Sequence, residues 1–572
     1  MHLPPDLNAR LKAGVGISGK LARMEEKIRK AVESALAKAG VEDVIFSVER
    51  PAALAHGDYA TNAAMAAAKM VGTNPRALAE SLAAELKDAL GDDVERVEVA
   101  GPGFINITLS KAAVSFGITE ADAKGEDWGK GEAKKGKRVI IEYSNPNAFK
   151  EMHAGHLVGT IIGESLSRLI ENEGATVARD TFGGDVGPNV AKALWALRKE
   201  GVAEPESARQ IGEAYAKGAK AYEDDPQAKE EIDALNQAIY AGDDESVMDL
   251  WHRGREISME AFRRIWKTLG TKFDFEFFDS DTTETGVRVV KDGLEKGIFK
   301  ESDGAIIYDG EAKGVHTMVF ITSKGTPTYE AKDIGLAFMK EERWPSDEVI
   351  ILTGNEQTGR FKTVLAALAD INAGLAAKMK HVATGFLKLT TGKMSSREGN
   401  VITAEGLLKE VMERASEKND DPLIAEQVAV GAVKFMVLRQ SPGADVVFDP
   451  EKSLSLTGDS GPYLQYALVR AAKILSYESE NAGGAAEPEA PYALERLILH
   501  YPEVAARAAK ELAPNLLVTY LLELAGEWNS FYASEQVLGS PEEAYKIRMA
   551  RAFANTMANG LRLLGIPAPE RM

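Results

Sequence analysis

Between residues 138 and 200 the chain alternates short apolar runs with long helical patterns, and this alternation limits the possible fold more than any other feature. KRVIIEY is a brief β-branched run of the kind expected for a parallel strand buried on both faces. It leads through SNPNAFKEMHAGH into a helical pattern over Leu157–Glu173. A second apolar run, Ala175–Thr181, reaches the glycine turn GGDVG, and another helix follows. Strand, turn, helix, strand, helix predicts a doubly wound α/β domain.

The chain is 572 residues long, too long for one core, so three or four units are expected. Residues 1–20 read as an extension without the apolar core of a secretory signal. Residues 21–125 read as a small α/β unit. It has helices over Leu21–Gly40 and Thr61–Val71, a third helix ending near Leu90, and strand-like runs at Val44–Val48 and Gly103–Leu109. A basic, glycine-punctuated linker (Lys130, Lys134, Lys135, Lys137, Arg138) opens the Rossmann-like domain, placed at 126–423. That domain carries a charged helical insertion at about 190–270. Its strand-like runs resume at Gly314–Ile321, Glu348–Thr353 and His381–Leu389. The remainder, 424–572, reads as all-α apart from an Ala/Gly/Glu/Pro-rich break at Asn481–Pro491.

Composition removes several function classes. With no cysteine there are no disulfides, thiolate zinc sites or cysteine nucleophiles. This fits a reducing cytoplasm. A formal charge of −19 argues against a nonspecific DNA coater, although local basic patches can still bind a specific RNA. No run approaches the roughly 20 apolar residues needed to cross a membrane.

Two elements can carry chemistry. HAGH (His153, Ala154, Gly155, His156) follows a buried strand and opens a helix, where free backbone N–H groups and the helix dipole favour phosphate. Gly155 admits a flat ring close to the backbone, and the imidazoles can donate to charge building on an α-phosphate. Taken alone, two histidines three residues apart also read as a metal pair or polar surface. KMSSREGN, Lys393–Asn400, lies more than 200 residues downstream. Its lysine, hydroxyls and glycine suit a loop closing on phosphates, and equally a polar surface loop.

Together, the strand–HxGH–helix and the later KMS loop resemble the class I aminoacyl-tRNA synthetases. Longer stretches resemble the arginyl-tRNA synthetases: YSNPNAFKEMHAGHLVGTIIGESLSRLIENEGATVARDTFGGDVG, PTYEAKDIGLA, LTGNEQTGRF, the terminal LLGIPAPERM, and HGDYATN near the start. The resemblance implies a class I Rossmann-like catalytic domain, an additional N-terminal tRNA-binding domain and a helical anticodon-binding domain. It also implies a cytoplasmic, monomeric ligase that joins L-arginine to tRNA(Arg) using ATP and Mg2+, without membrane or DNA partners, and that needs tRNA present to activate arginine.

Site residues follow from the same resemblance. Many class I enzymes carry a second lysine in the loop where this chain has Ser396. The arginyl family has one before HxGH instead, here Lys150. Lys150, His153, His156 and Lys393 are implied as catalytic, with Gly155, Met394, Ser395 and Ser396 completing the ATP site and Arg397 a candidate helper. A substrate guanidinium, always charged, calls for buried carboxylates. Asp333 and Tyr329 are implied there, with Asp279 at a position where the family carries a glutamate; Asp281 and Glu284 are its alternatives. Asn147 and Gln357 are implied at the α-amino group. Tyr532 and Met572 are implied at the anticodon, and Tyr59 and Asn106 at the tRNA corner. Tyr463, Tyr466, Trp528 and Phe531 read as packing aromatics. A class I enzyme for another amino acid and a non-catalytic tRNA-binding paralogue are the competing readings.

Overall fold

The computed structural model describes residues 24–51, 54–390, 402–477 and 484–572. The N-terminal unit runs α1 (Met24–Lys38), β1 (Val48–Glu49), β2 (Tyr59–Thr61), α2 (Ala63–Val71), α3 (Pro75–Leu90), β3 (Val94–Ala100), β4 (Phe104–Leu109) and α4 (Lys111–Lys124). Its antiparallel sheet has the order β1-β2-β4-β3. The run expected from Val44 pairs only from Val48. The helix expected from Thr61 begins at Ala63 because Thr61 pairs with Ile105 in the sheet. The strand β3 is absent from the sequence reading, because Glu95, Arg96 and Glu98 face water and break its apolar pattern.

The catalytic region contains β5 (Arg138–Glu142), α5 (Ala154–Asn172), β6 (Thr176–Gly183) and then four insertion helices. These are α6 (Pro188–Lys199), α7 (Ala208–Asp224), α8 (Pro226–Ala241) and α9 (Glu245–Thr268). β7 (Phe275–Phe278), α10 (Asp279–Glu295), β8 (Lys300–Ser302), β9 (Ala305–Tyr308), β10 (Met318–Ile321) and α11 (Tyr329–Arg343) follow. β11 (Glu348–Gly354), α12 (Thr358–Ile371), α13 (Ala373–Ala377), β12 (Met379–Thr384) and β13 (Leu387–Leu389) end the α/β portion. Five parallel strands form the central sheet in the order β12-β11-β5-β6-β7. The chain winds outward from β5 in one direction and returns through β11 in the other. The crevice beyond the carboxyl ends of β5 and β11 is therefore the topological switch point, where such sheets bind ligands.

Two strand expectations change. The Gly314–Ile321 run is a strand only from Met318, and it lies in a separate antiparallel sheet with β8 and β9. The His381–Leu389 run divides into β12 and β13. The latter pairs with β14 (Val446–Phe448), a short strand inside the region read as wholly helical.

α14 (Ala404–Ser416) precedes that region, whose described helices are α15 (Pro422–Leu438), α16 (Pro450–Ser453), α17 (Gly461–Leu475), α18 (Ala493–Leu499), α19 (Tyr501–Lys510), α20 (Pro514–Ser534) and α21 (Glu543–Leu563). Cations join them to the catalytic region at helix C-termini, where the dipole favours positive charge. Lys434 donates to the carbonyls of Leu269 (2.6 Å) and Gly565 (2.5 Å). Arg168 donates to those of Gly270 and Arg562, both at 2.9 Å. The N-terminal unit docks on the same helices through Asp58–Arg496, a two-pronged Arg50–Glu523 pair and the Tyr59 hydroxyl on Glu503 at 2.8 Å. Tyr59 is 2% exposed in this seam, so it cannot be the RNA contact suggested by the sequence.

The crossing of α10 and α11 sets the position of several site residues. A Cβ on Gly335 would lie 2.4 Å from the Thr282 carbonyl oxygen, and one on Gly286 would lie 2.3 Å from that of Ala331. Only glycine at both positions lets the helices meet backbone to backbone, which brings Asp279 beside Lys332. Gly335→Ala should therefore separate the helices and destabilise the chain by about 1–3 kcal/mol, as overpacking does. Urea unfolding would measure it; an unchanged midpoint would contradict the crossing.

Candidate functional site

β5 ends on Glu142, a carboxylate buried beside the Lys340 ammonium of α11, which also lies 2.8 Å from Asp180 of β6. Asn145 closes the gap where the two strands part. Its amide donates to Glu142 at 2.9 Å, and its carbonyl oxygen accepts from the Phe182 N–H at 2.9 Å. Ser144, Asn145 and Phe149 all have positive φ, at 75°, 48° and 64°. Non-glycine residues occupy that region at a cost that surrounding contacts must hold. Here α9 holds them: the Trp266 indole N–H donates to Ser144 Oγ (2.9 Å), and Ser258 Oγ accepts from the Phe149 N–H (3.1 Å).

The strained loop delivers the chain to His153, the N-cap of α5. His153 Nδ1 accepts from the Gly155 N–H at 3.1 Å, and His156 Nδ1 accepts from the His153 N–H at 3.4 Å. The two rings stack with centroids 3.7 Å apart. A Cβ on Gly155 would come within 2.9 Å of the His153 ring, so glycine at this position leaves room for that imidazole. Burial, then His153 and Lys150, push His156 down to about 3; burial and Lys150 also lower His153. Both imidazoles are thus neutral near pH 7. With Nδ1 accepting, the proton resides on Nε2.

The opposite wall carries acids. Asp333 is paired with Arg360 of α12, whose Nε donates to Gln357 Oε1 at 2.8 Å. Asp279 lies 3.0 Å from Lys332, with the two side chains 2% and 4% exposed. Burial raises both carboxyls, Asp333 to about 6, against the pull of Arg360 and Lys332 respectively. Tyr329, at the start of α11, is 54% exposed.

His153, Gly155, His156, Asn147, Asp279, Tyr329, Asp333 and Gln357 all line one cleft of about 550 Å³ at the switch point. Lys150 is not among the residues that line it; its ammonium lies 4.3 Å from the centre of the Tyr215 ring on α7. Lys393, Met394, Ser395, Ser396 and Arg397 lie outside the described residues. The chain resumes against the histidines: Ala154 N–H donates to the Ile402 carbonyl (2.8 Å), and Ala404 N–H to that of Met152 (2.7 Å). Asp281 instead accepts from the Phe278 N–H at 2.9 Å as a helix cap. Tyr532 lies far along the chain on α20, partly exposed, with the Arg470 guanidinium 3.8 Å over its ring. Trp528 and Phe531 are buried packing residues. A wider cleft of about 950 Å³ opens at the seam between the catalytic and helical parts, among Arg168, Trp266, Lys267 and Arg562. None of the described residues assigned above to ATP or arginine lines it.

Sequence reasoning missed Glu142, Asn145, Lys340, Lys332 and Arg360. Glu142 alone left a signal, as a charge closing an apolar strand. Lys340, Lys332 and Arg360 depend on partners 27 to 198 residues away, and Asn145 acts by bridging Glu142 to Phe182 on the next strand.

Three family models match the chain: the Arginyl tRNA synthetase N terminal domain over residues 24–109, the tRNA synthetases class I (R) catalytic domain over 118–449, and the DALR anticodon binding domain over 464–572. An arginine–tRNA ligase from Treponema denticola is 32% identical, covering 88% of this chain and 91% of its own. One from Clostridium beijerinckii is 30% identical over 96% and 99%. The solved Thermus thermophilus arginyl-tRNA synthetase superposes with a TM-score of 0.81 at 27% identity, covering 96% of this chain and all of that one.

The neutral histidines give a prediction. In selectively labelled protein, the His156 ring should show no protonation by NMR between pH 8 and pH 4.5. The unfolded ring takes up its proton near 6.5 while the folded one waits until about 3, so His156 also withdraws stability as pH falls through that window. A His156 midpoint near 6.5 would remove its assigned tautomer.

Proposed function

Because the chain belongs to the arginyl-tRNA synthetase family, we propose that it activates L-arginine with ATP to arginyl-adenylate and pyrophosphate, then esterifies the 3′ end of tRNA(Arg). One observation carries the reading of the site: a neutral histidine pair at a helix N-terminus and buried carboxylates share a single cleft.

ATP lies with its α-phosphate over the start of α5. The Nε2–H groups of His153 and His156 donate to oxygens that gain charge in the pentavalent transition state, and need no reorganisation to do so. Lys150 and Lys393 supply positive charge to the triphosphate, with Met394, Ser395 and Ser396 completing the ATP site. The arginine carboxylate is already an anion, so attack on the α-phosphate requires alignment rather than a general base. Asn147 and Gln357 hold the α-amino end, while Asp333, Tyr329 and Asp279 meet the guanidinium. No group of three His, Cys, Asp or Glu side chains able to hold a metal occurs among the described residues. Mg2+ would enter with ATP, as a partner of the triphosphate. The Tyr532–Arg470 stack offers a flat face to an unpaired anticodon base, and the terminal Met572 is a second candidate contact.

Arginine-dependent exchange of pyrophosphate into ATP, run with and without tRNA(Arg) and against a panel of amino acids, tests this reading. Exchange with arginine only, and only with tRNA, is expected. Exchange with another amino acid would discard the pocket assignment, and no exchange at all would leave a tRNA-binding paralogue. Asp333→Asn should raise the arginine KM about 10- to 100-fold, the worth of one charge-assisted hydrogen bond, with the ATP KM little changed. Equal losses for both substrates would remove its role. Lys150→Met should lower the activation rate at nearly constant arginine affinity; unchanged turnover would take it out of the catalytic set.

A further inference from the structure

Three cations pair with acids around the cleft floor, and they differ in how they are held. Lys340 is 2% exposed between Glu142 and Asp180, and Lys332 is 4% exposed on Asp279; both are sealed from the cleft. Arg360 is 20% exposed, and its partner Asp333 is 10% exposed. It can therefore leave without opening the core.

Its position is unfavourable for a cation. Arg360 is the third residue of α12, in the first turn, where the helix dipole repels positive charge. Its two polar contacts offset that placement, the ion pair with Asp333 and the 2.8 Å donation from Nε to Gln357. These are two of the residues assigned above to the substrate. The group seated on them is a guanidinium, the same group that ends the substrate side chain. A buried carboxylate left bare would carry a large desolvation penalty, which Arg360 relieves while the cleft is empty.

We propose that Arg360 is an internal surrogate for the substrate guanidinium: it occupies Asp333 in the empty cleft and must be displaced for arginine to bind. The inference rests on the functional reading above and adds to it a resident occupant that sets the affinity of the arginine site. An incoming side chain must outcompete a planar, five-donor fork already in place. Arginine matches it group for group. A lysine ammonium, a point charge with three donors, does not. Arg360 thus weakens the binding of arginine, and of any other cation that competes for Asp333, by the fraction of time it holds the site.

The test compares the wild-type chain with Arg360→Gln and Arg360→Lys in tRNA-supported pyrophosphate exchange. It reads KM for arginine and for ATP, and inhibition by lysine. The Gln variant should lower the arginine KM about fivefold or more, leave the ATP KM within about twofold, and make lysine a tighter inhibitor by a similar factor. The Lys variant keeps a charge without the fork and should fall between. A higher arginine KM in either variant, or parallel shifts for arginine and ATP, overturns the proposal, since a purely structural arginine would produce those results. If the Gln variant fails to fold, the Lys variant decides by the same readings. If the wild-type chain shows no arginine-dependent exchange, the functional reading fails by itself. Equilibrium dialysis of labelled arginine against the same chains then decides this inference: tighter binding to the variants supports it, and equal or weaker binding overturns it.

Discussion

The Lys340 ammonium sits between Glu142 at the end of β5 and Asp180 within β6, and all three side chains are almost wholly buried. Burial pushes the Asp180 carboxyl up to about 7, opposed by Lys340 and reinforced by Glu142. A buried charge stripped of its partner typically costs about 3–5 kcal/mol, so the three elements that carry these groups are coupled in position. α11 is pinned to the two central strands and brings Tyr329 and Asp333 with it. Glu142 in turn holds Asn145, and Asn145 holds the left-handed loop that presents His153. Both walls of the cleft are referred to one ion cluster.

The two walls then differ in electrostatic character. The histidine wall is neutral, with proton-bearing Nε2 atoms fixed by backbone hydrogen bonds and Lys150 as the nearby charge. Neutral donors suit a site where negative charge develops during reaction, because they gain most when that charge appears. The other wall stores negative charge on Asp279 and Asp333, each covered by a cation of the chain itself. The site offers phosphate donors on one side and exchangeable acid on the other.

The histidine loop also reaches the seam with the helical region. The Tyr143 hydroxyl donates to Glu164 at 2.9 Å and meets Thr271 Oγ1 at 2.7 Å. Glu164 takes Arg168 at 2.6 Å and Arg179 at 2.9 Å. Arg168 binds the last carbonyls of both α9 and α21. An unbroken set of hydrogen bonds therefore runs from the residue before the strained Ser144 to the end of the anticodon-region helices.

Much of this was readable from the sequence because it rests on local periodicity. The buried run KRVIIEY, the helix after HAGH and the helical character of the insertion follow from the local sequence pattern, while its division into four helices came from the structure. Asn147, Asp279, Tyr329, Asp333 and Gln357, named by family resemblance, do converge on one cleft. The strand Val94–Ala100 was hidden because charged residues on its wet face erase the alternation. The Gly314–Ile321 run was read as strand without revealing its sheet, since pairing partners are set by topology and not by composition. What the sequence determined by itself was the element pattern and the inventory of chemically capable side chains. Only the tertiary structure decided how the charges are shared, with Lys340 between two strands, Lys332 on Asp279 and Arg360 on Asp333. An ion pair between residues far apart in the chain leaves no periodic trace, and its strength depends on a desolvation that exists only once the fold has closed around it.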